Sequence, residues 1–295
     1  MLYINSAIDR SECMNTGQAL KELRLMKGKT VKQACGNTIN RGNYWRIENE
    51  EVIPRMDTFN SILLNLNVSF SDYLELYYDE NNEYEKIMSD LKKAFELKKI
   101  DTLKNLSYYC ESQYHLTNMD YYLHTKCLSG IFIDRINNDP YNKDDSDILK
   151  DYLFSCPNWT YYEVRLLTNS LFLYDDNSII TFFYKTIRYV EKIENRKNCD
   201  ELKMKISENI ITHFIYKKNY KKANEVYMVM SKLELNESST NARIVKMWTS
   251  GLVDVLLKGD RAGMKKVEKA LSIYEMLDME GQYRLHKNWT NTLMK

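Results

Sequence analysis

Residues Thr30–Pro54 read TVKQACGNTINRGNYWRIENEEVIP, and the fold of the N-terminal region turns on them. The spacing predicts a short helix over Thr30–Cys35, a turn at Gly36, Asn37 and Thr38, and a second helix from Asn40 to about Asn49. Asn40 is suited to capping that second helix, because its side chain accepts from the free amides of a first turn. At helical spacing Tyr44, Ile47 and Glu51 fall on one face and predict a buried stripe. Arg41, Asn43, Trp45 and Arg46 fall on the other. Arg and Asn carry donors and acceptors that match base edges and phosphates. A helix–turn–helix places the N-terminal residues of its second helix on the bases of the major groove. The stretch therefore predicts a DNA-facing surface of Asn40, Arg41, Asn43, Trp45 and Arg46. Lys32 and Gln33 of the preceding helix are expected to reach the backbone.

The flanking segments extend the pattern. Leu20, Leu23 and Leu25 predict the inner side of an earlier helix, with Lys21, Arg24 and Lys27 outside. Phe59, Ile62, Leu63 and Leu66 predict a following helix, with Pro54 and Asp57 as start signals. Val68–Asp79 predicts a fifth, capped by Ser71. Five short helices in this order resemble the repressor-type (Cro/C1, or XRE) helix-turn-helix domain. The residues that carry the resemblance are LKELRLMKG, GNTIN and WRIENEEVIP, the last where that family has its SRIERGxxxP pattern. Gly42 departs from that pattern. In a helix it costs about 1 kcal/mol relative to alanine, and it also lets a backbone approach a phosphate closely.

The whole chain has 295 residues, 44% of them hydrophobic and 28% charged, enough to bury a core. A net charge of +1 points to no nucleic acid globally. Locally, eight basic residues against four acidic between Asn15 and Arg55 leave +4, enough for a DNA-facing patch. The cysteines Cys13, Cys35, Cys110, Cys127, Cys156 and Cys199 are scattered, with no C-x-x-C pair and no His at metal spacing. They are expected to be reduced thiols of a cytoplasmic protein, with no metal and no cofactor. No signal peptide or apolar run of membrane length is visible. Residues 1–14 are expected as an extension ahead of the first helix, and Met14 is a candidate start that makes Met1–Cys13 dispensable. The absence of a Gly-rich phosphate loop, a G-x-S-x-G elbow and a His-Glu metal motif argues against an enzyme.

From Asn82 onward one amphipathic helix follows another, separated by turn clusters such as NNDPYNKDD, CPN and NESST. The expected pairs are Tyr84–Lys98 with Asp101–Leu116, Asp120–Ile136 with Asp144–Phe154, Trp159–Tyr174 with Asn177–Ile193, Glu201–Tyr216 with Tyr220–Leu235, and Asn241–Leu257 with Arg261–Leu277. A last helix is expected from Gln282 to about Met294. The turns LKKID, LYDDN, YKKNY and LLKGD recur about every forty residues, the period of helical-hairpin arrays. YKKANEVY and GMKKVEKALSIYEML resemble the second helix of tetratricopeptide repeats. The expected fold is thus all-α: a five-helix helix-turn-helix domain over 15–79, then a right-handed tetratricopeptide-like solenoid over 80–295. In such a stack the first helices form a concave wall. Placing the repeat pattern on them predicts a lining of Tyr162, Arg165, Asn169 and Phe172, then Glu208, Asn209, Thr212 and Tyr216, then Lys246 and Val253. Asn can both donate and accept, which suits the backbone of an extended peptide. Arg165 is the expected partner of a peptide carboxylate. His213 is expected to be packed or at the groove edge.

Head and body together resemble the Rgg/GadR/MutR regulators, within the peptide-sensing group that includes PlcR and ComR. PNWTYYEVRLLTNSLFLYD (Pro157–Asp175) is similar to that family's W-x-x-Y-E-x-x-L-x-x-N-x-L-F pattern, here at Trp159, Tyr162, Glu163, Leu166, Asn169, Leu171 and Phe172. The resemblance implies a cytoplasmic homodimeric transcriptional regulator on double-stranded promoter DNA. It also implies a short re-imported peptide pheromone, a quorum signal, docked in the groove. Ile273, Met276, Leu285, Trp289 and Leu293 are expected to be exposed as a dimer clasp, and Cys35 is placed to meet its twin. A repressor without a peptide ligand and a helical scaffold for a protein partner are the alternatives.

Overall fold

The computed structural model describes residues 15–74, 83–192 and 199–295. The expected extension over residues 1–14, the end of the fifth predicted helix and most of the ENRKNCD break lie outside them. The fold is all-α. The chain divides into two compact units between Lys93 and Ala94.

In the first unit five helices surround one core: α1 (Thr16–Met26), α2 (Val31–Cys35), α3 (Arg41–Glu48), α4 (Met56–Asn65) and α5 (Phe70–Tyr73). Local chemistry fixes their ends. Thr30 and Gln33 close a reciprocal capping box on α2, with the Thr30 amide donating to Gln33 Oε1 at 2.8 Å. Asn40 Oδ1 accepts from the Asn43 amide at 2.8 Å and starts α3. Between them Gly36 takes φ 52°, a left-handed conformation that glycine adopts without a Cβ clash. The core gathers Leu20, Leu23, Ala34, Tyr44, Ile47, Phe59, Ile62 and Leu66.

Four local expectations need correction. Leu25 is exposed, and Arg24 is the residue that turns inward. Its guanidinium donates from Nε and Nη2 to Glu48 at 2.6 and 3.1 Å, and from Nη1 to the Lys29 carbonyl, tying α1 to the end of α3. Glu51 lies beyond α3, exposed, where it accepts from Arg46 Nε at 3.3 Å. The cap of α5 is Ser69, boxed with Asp72, instead of Ser71. Cys35 is 2% exposed, its thiol packed in the core of the unit.

After α6 (Glu83–Glu96), the second unit runs α7 (Ile100–Thr117), α8 (Asp120–Asn137), α9 (Lys143–Ser155), α10 (Tyr161–Ser170), α11 (Asp176–Lys192), α12 (Cys199–Tyr216), α13 (Tyr220–Lys232), α14 (Thr240–Lys258), α15 (Gly263–Met276) and α16 (Glu280–Leu293). The predicted partnerships α8 with α9, α12 with α13 and α14 with α15 are present, while α7 packs extensively along α8, a helix of the next predicted pair. Three of the four recurring turns share a device: Lys98, Lys218 and Gly259 adopt positive φ, whereas the LYDDN turn has no such residue. At the α14–α15 crossing, a Cβ on Gly251 would lie 2.8 Å from the Gly263 carbonyl oxygen, so the two backbones touch.

The predicted single helix Trp159–Tyr174 is broken. It starts at Tyr161, capped by Thr160 and Glu163, and gives way after Ser170 to a 3₁₀ turn, Leu171–Leu173. Lys185 of α11 holds the preceding segment: its ammonium donates to the carbonyls of Leu153, Phe154 and Cys156 at 3.1, 3.2 and 2.9 Å. It also lies over the Trp159 ring. Burial pulls its pKa below the ordinary lysine value.

Candidate DNA-facing helix and ligand pocket

On α3 the division of faces is sharp. Tyr44 and Ile47 are buried, while Arg41, Gly42, Asn43, Trp45 and Arg46 are exposed. Lys32, Gln33 and Asn40 are exposed too. Two of these carry a local task as well. Gln33 Oε1 belongs to the α2 capping box and Asn40 Oδ1 to the α3 cap. Gly42 faces open space, a Cβ there meeting only Asn40 Oδ1 at 3.5 Å. The face thus offers cations, amides and one large aromatic ring on a scaffold fixed from behind by the Arg24–Glu48 pair.

The second unit contains a pocket of about 680 Å³. α12 supplies Asn209, Thr212, His213 and Tyr216, with Lys217 just past its end. α16 supplies Leu285, Asn288, Trp289 and Thr292. Both sets follow i, i+3, i+4, i+7 spacing, which presents one helical face. Thr168 of α10 and Leu171 and Phe172 of the 3₁₀ turn add a third side, and Arg135 and Tyr141 a fourth. The break after Ser170 matters here, because it carries Leu171 and Phe172 into the lining. Arg135 stacks over the Phe172 ring at 4.0 Å from its centre, and Tyr141 packs on the same ring.

Polar groups are dispersed among these apolar surfaces. The Thr212 hydroxyl is spent on the Glu208 carbonyl at 2.8 Å. His213 Nε2 is buried without a hydrogen-bond partner. Burial, with Lys217 and Arg135 adding to it against Asp176, pulls the His213 imidazole down to about 4, so the ring is neutral at pH 7. Among the described residues no group of three or more His, Cys, Asp and Glu is placed to hold a metal ion.

Of the ten residues expected in the groove, four come together in this pocket: Phe172, Asn209, Thr212 and Tyr216. The others are placed elsewhere. Val253 is fully buried, because α14 is covered on nearly every side. Glu208 points behind the wall, 7% exposed, its Oε1 3.0 Å from His286 Nε2 in an ion-pair contact poorly aligned for a hydrogen bond. Lys246 donates to the Leu233 carbonyl at 2.6 Å, beside a different depression. Tyr162 shares a 2.7 Å hydrogen bond with His124 Nδ1, and Asn169 Nδ2 donates to the Arg165 carbonyl at 2.8 Å; none of Tyr162, Arg165 and Asn169 lines the pocket. Glu163 is buried beside Tyr162, accepting from Tyr152 Oη at 2.7 Å and from the Thr160 amide. The W-x-x-Y-E stretch thus braces α8, α9 and α10 against one another.

The expected clasp also reads differently. Ile273, Trp289 and Leu293 pack on the core of α14 and α15, and Leu285 and Trp289 face the pocket, leaving Met276 as the strongly exposed member. Sequence reasoning missed α16 as a pocket wall, along with Arg135, Tyr141, Thr168, Leu171 and Lys217. The available signal was the spacing 285, 288, 289, 292, which repeats that of 209, 212, 213, 216 on α12.

Residues 74–288 match the family described as HTH-type transcriptional regulator Rgg, C-terminal domain. Among solved structures, a candidate transcriptional regulator from Listeria monocytogenes EGD-e is 20% identical over 94% of this chain and 96% of that one, with a TM-score of 0.81. The SHP pheromone receptor Rgg2 of Streptococcus dysgalactiae is 19% identical over 93% and 98%, with a TM-score of 0.73. PrgX in its complex with cCF10 is 15% identical over 94% and 98%, with a TM-score of 0.70. At these identities the three structures establish the shared fold.

Proposed function

This chain belongs to the Rgg family of helix-turn-helix transcriptional regulators, and on that premise we propose that it binds promoter DNA through α3 and senses a short linear peptide in the pocket between α12 and α16. The observation that carries the reading is the presence in one chain of an exposed Arg41–Asn43–Trp45–Arg46 face and an open pocket of amides, hydroxyls and aromatic rings. Arg41 and Asn43 read bases from the N-terminal end of the helix, and Arg46 contacts a base or a phosphate. Lys32 and Gln33 contact the backbone. One such head spans few base pairs, so the regulator acts as a homodimer on two half-sites. The similar structures include the SHP pheromone receptor Rgg2, PrgX in its complex with cCF10 and a bacterial peptide pheromone/receptor complex, which supports a peptide as the ligand here. Among the described residues no helix is long and apolar enough to cross a membrane; the proposed regulator works in the cytoplasm. Peptide binding shifts the population of DNA-binding geometries by as much as its affinity differs between them.

The test is a gel shift on the DNA upstream of the protein's own gene. Arg41→Ala/Arg46→Ala is expected to weaken binding at least tenfold, since each base-reading Arg contributes about 1–3 kcal/mol. Unchanged affinity of the double variant would overturn the assignment of α3.

A further inference from the structure

The charges around the pocket are one-sided. Its described lining holds Arg135, Lys217 and His213 and no carboxylate. None of the three is fully matched. Arg135 lays its guanidinium on the face of the Phe172 ring, which leaves the in-plane N–H fork free. Lys217 Nζ stands 3.9 Å from Asp176 Oδ1, while the other oxygen of that carboxylate accepts from Asn219 Nδ2 at 2.6 Å. His213 Nε2 is buried with no partner. A buried polar atom without a partner carries a desolvation cost that an incoming ligand group can relieve. Two cations on the rim of an apolar, partly enclosed space focus a positive potential into it.

Resting on the peptide reading of this pocket, we propose that the ligand is anchored by a carboxylate, held between Arg135 and Lys217 and beside His213. An ionised carboxylate accepts the in-plane fork of a guanidinium bidentately, and such charge-assisted bonds are about twice as strong as neutral ones. The remaining carboxylate lone pairs accept from the Lys217 ammonium and from the His213 ring. The apolar rest of the ligand lies along Leu285, Trp289 and Tyr216. The anchoring group is either the free C-terminus of a peptide or the side chain of an aspartate or glutamate.

Capture of random hexapeptides by the immobilised full-length protein, read by mass spectrometry, tests this. The mixture is made in two halves, one ending in a free carboxylate and one in an amide. Retained peptides are expected to be at least about fivefold enriched in carboxylates. Enrichment of the acid half regardless of side chains marks the C-terminus as the anchor; enrichment of aspartate and glutamate within the amide half marks a side chain. Arg135→Gln/Lys217→Gln is expected to lose the enrichment while still retaining apolar peptides. Should the double variant fail to fold, Lys217→Gln alone, on an exposed residue past the end of α12, carries the same comparison. Peptides retained without acidic bias, or a bias that survives in the variants, would overturn the carboxylate anchor and leave the peptide reading standing. If wild type retains no peptide above the blank matrix, the peptide reading falls and the anchor with it.

Discussion

The DNA-facing surface and the pocket are built in opposite ways. The first is one side of an eight-residue helix whose residues are neighbours in sequence. The second draws on α8, the loop after it, α10, a 3₁₀ turn, α12 and α16, over a span from Arg135 to Thr292. A surface on one helix needs only that helix to be held in place. A pocket among six segments depends on every contact that sets their spacing, including contacts no ligand touches. The two should therefore fail differently under mutation. The head should fail through its anchor, and the pocket through groups behind its walls.

The largest effect is expected at the anchor. Glu48→Ala leaves the part-buried Arg24 guanidinium without its carboxylate and removes two charge-assisted hydrogen bonds, at a cost of about 3 kcal/mol. Chemical denaturation followed by circular dichroism should show that loss, with promoter binding lost alongside. A cost below about 1 kcal/mol would mean that α3 is held mainly by its apolar face, as in the general case of an amphipathic helix.

Behind the pocket, the Glu208–His286 contact fixes α16 to α12. Burial works against the His286 imidazolium, but Glu208 and the Gln282 carbonyl outweigh it and leave its pKa raised above the ordinary 6.5. A raised folded value means that the stabilisation is complete below the unfolded value and is lost as pH rises through the folded one. Glu208→Gln should therefore destabilise by about 1.5–3 kcal/mol at pH 6. The gap to wild type should narrow as pH climbs toward 9. A gap that is flat or widens with pH would break the assignment of this pair.

Tyr162→Phe is the smallest of the three. Losing the bond to His124 should cost about 1 kcal/mol of stability. Peptide capture should be unchanged, because Tyr162 does not line the pocket. A marked loss of capture with little loss of stability would move Tyr162 from the brace to the ligand.

The same contrast explains what the sequence made legible. Thr30, Asn40 and the turn at Gly36 act within a few residues, so the helix–turn–helix could be read directly, as could the repeating turns at Lys98, Lys218 and Gly259. Arg24 was placed outside because its partner is 24 residues on, a separation no local pattern reports. Val253 and Glu208 were placed on the groove by counting turns along helices taken to have one buried face. α12 and α14 are buried on several sides at once, so periodicity there selects no single wall. Asn209, Thr212, Tyr216 and Phe172 fall in the pocket because the exposed strip of α12 is narrow and the 3₁₀ turn keeps Phe172 on the same side. The family pattern at Trp159, Tyr162 and Glu163 was legible as a pattern but not as a brace, since His124 and Tyr152 come from other helices.

One lysine has a consequence for synthesis. The last carbonyls of α9 have their donor in Lys185, which leaves the ribosome about thirty residues later. A nascent chain that has emerged only to Leu173 already has the Trp159 indole donating to the Leu153 carbonyl at 3.3 Å, but it leaves the Phe154 and Cys156 carbonyls to water. Emergence of α11 supplies their donor, so the middle of the body is finished backward, from the later helix onto the earlier one. Hydrogen exchange on stalled chains ending beyond Leu173 and beyond Lys192 should show the carboxyl end of α9 protected only in the longer chain.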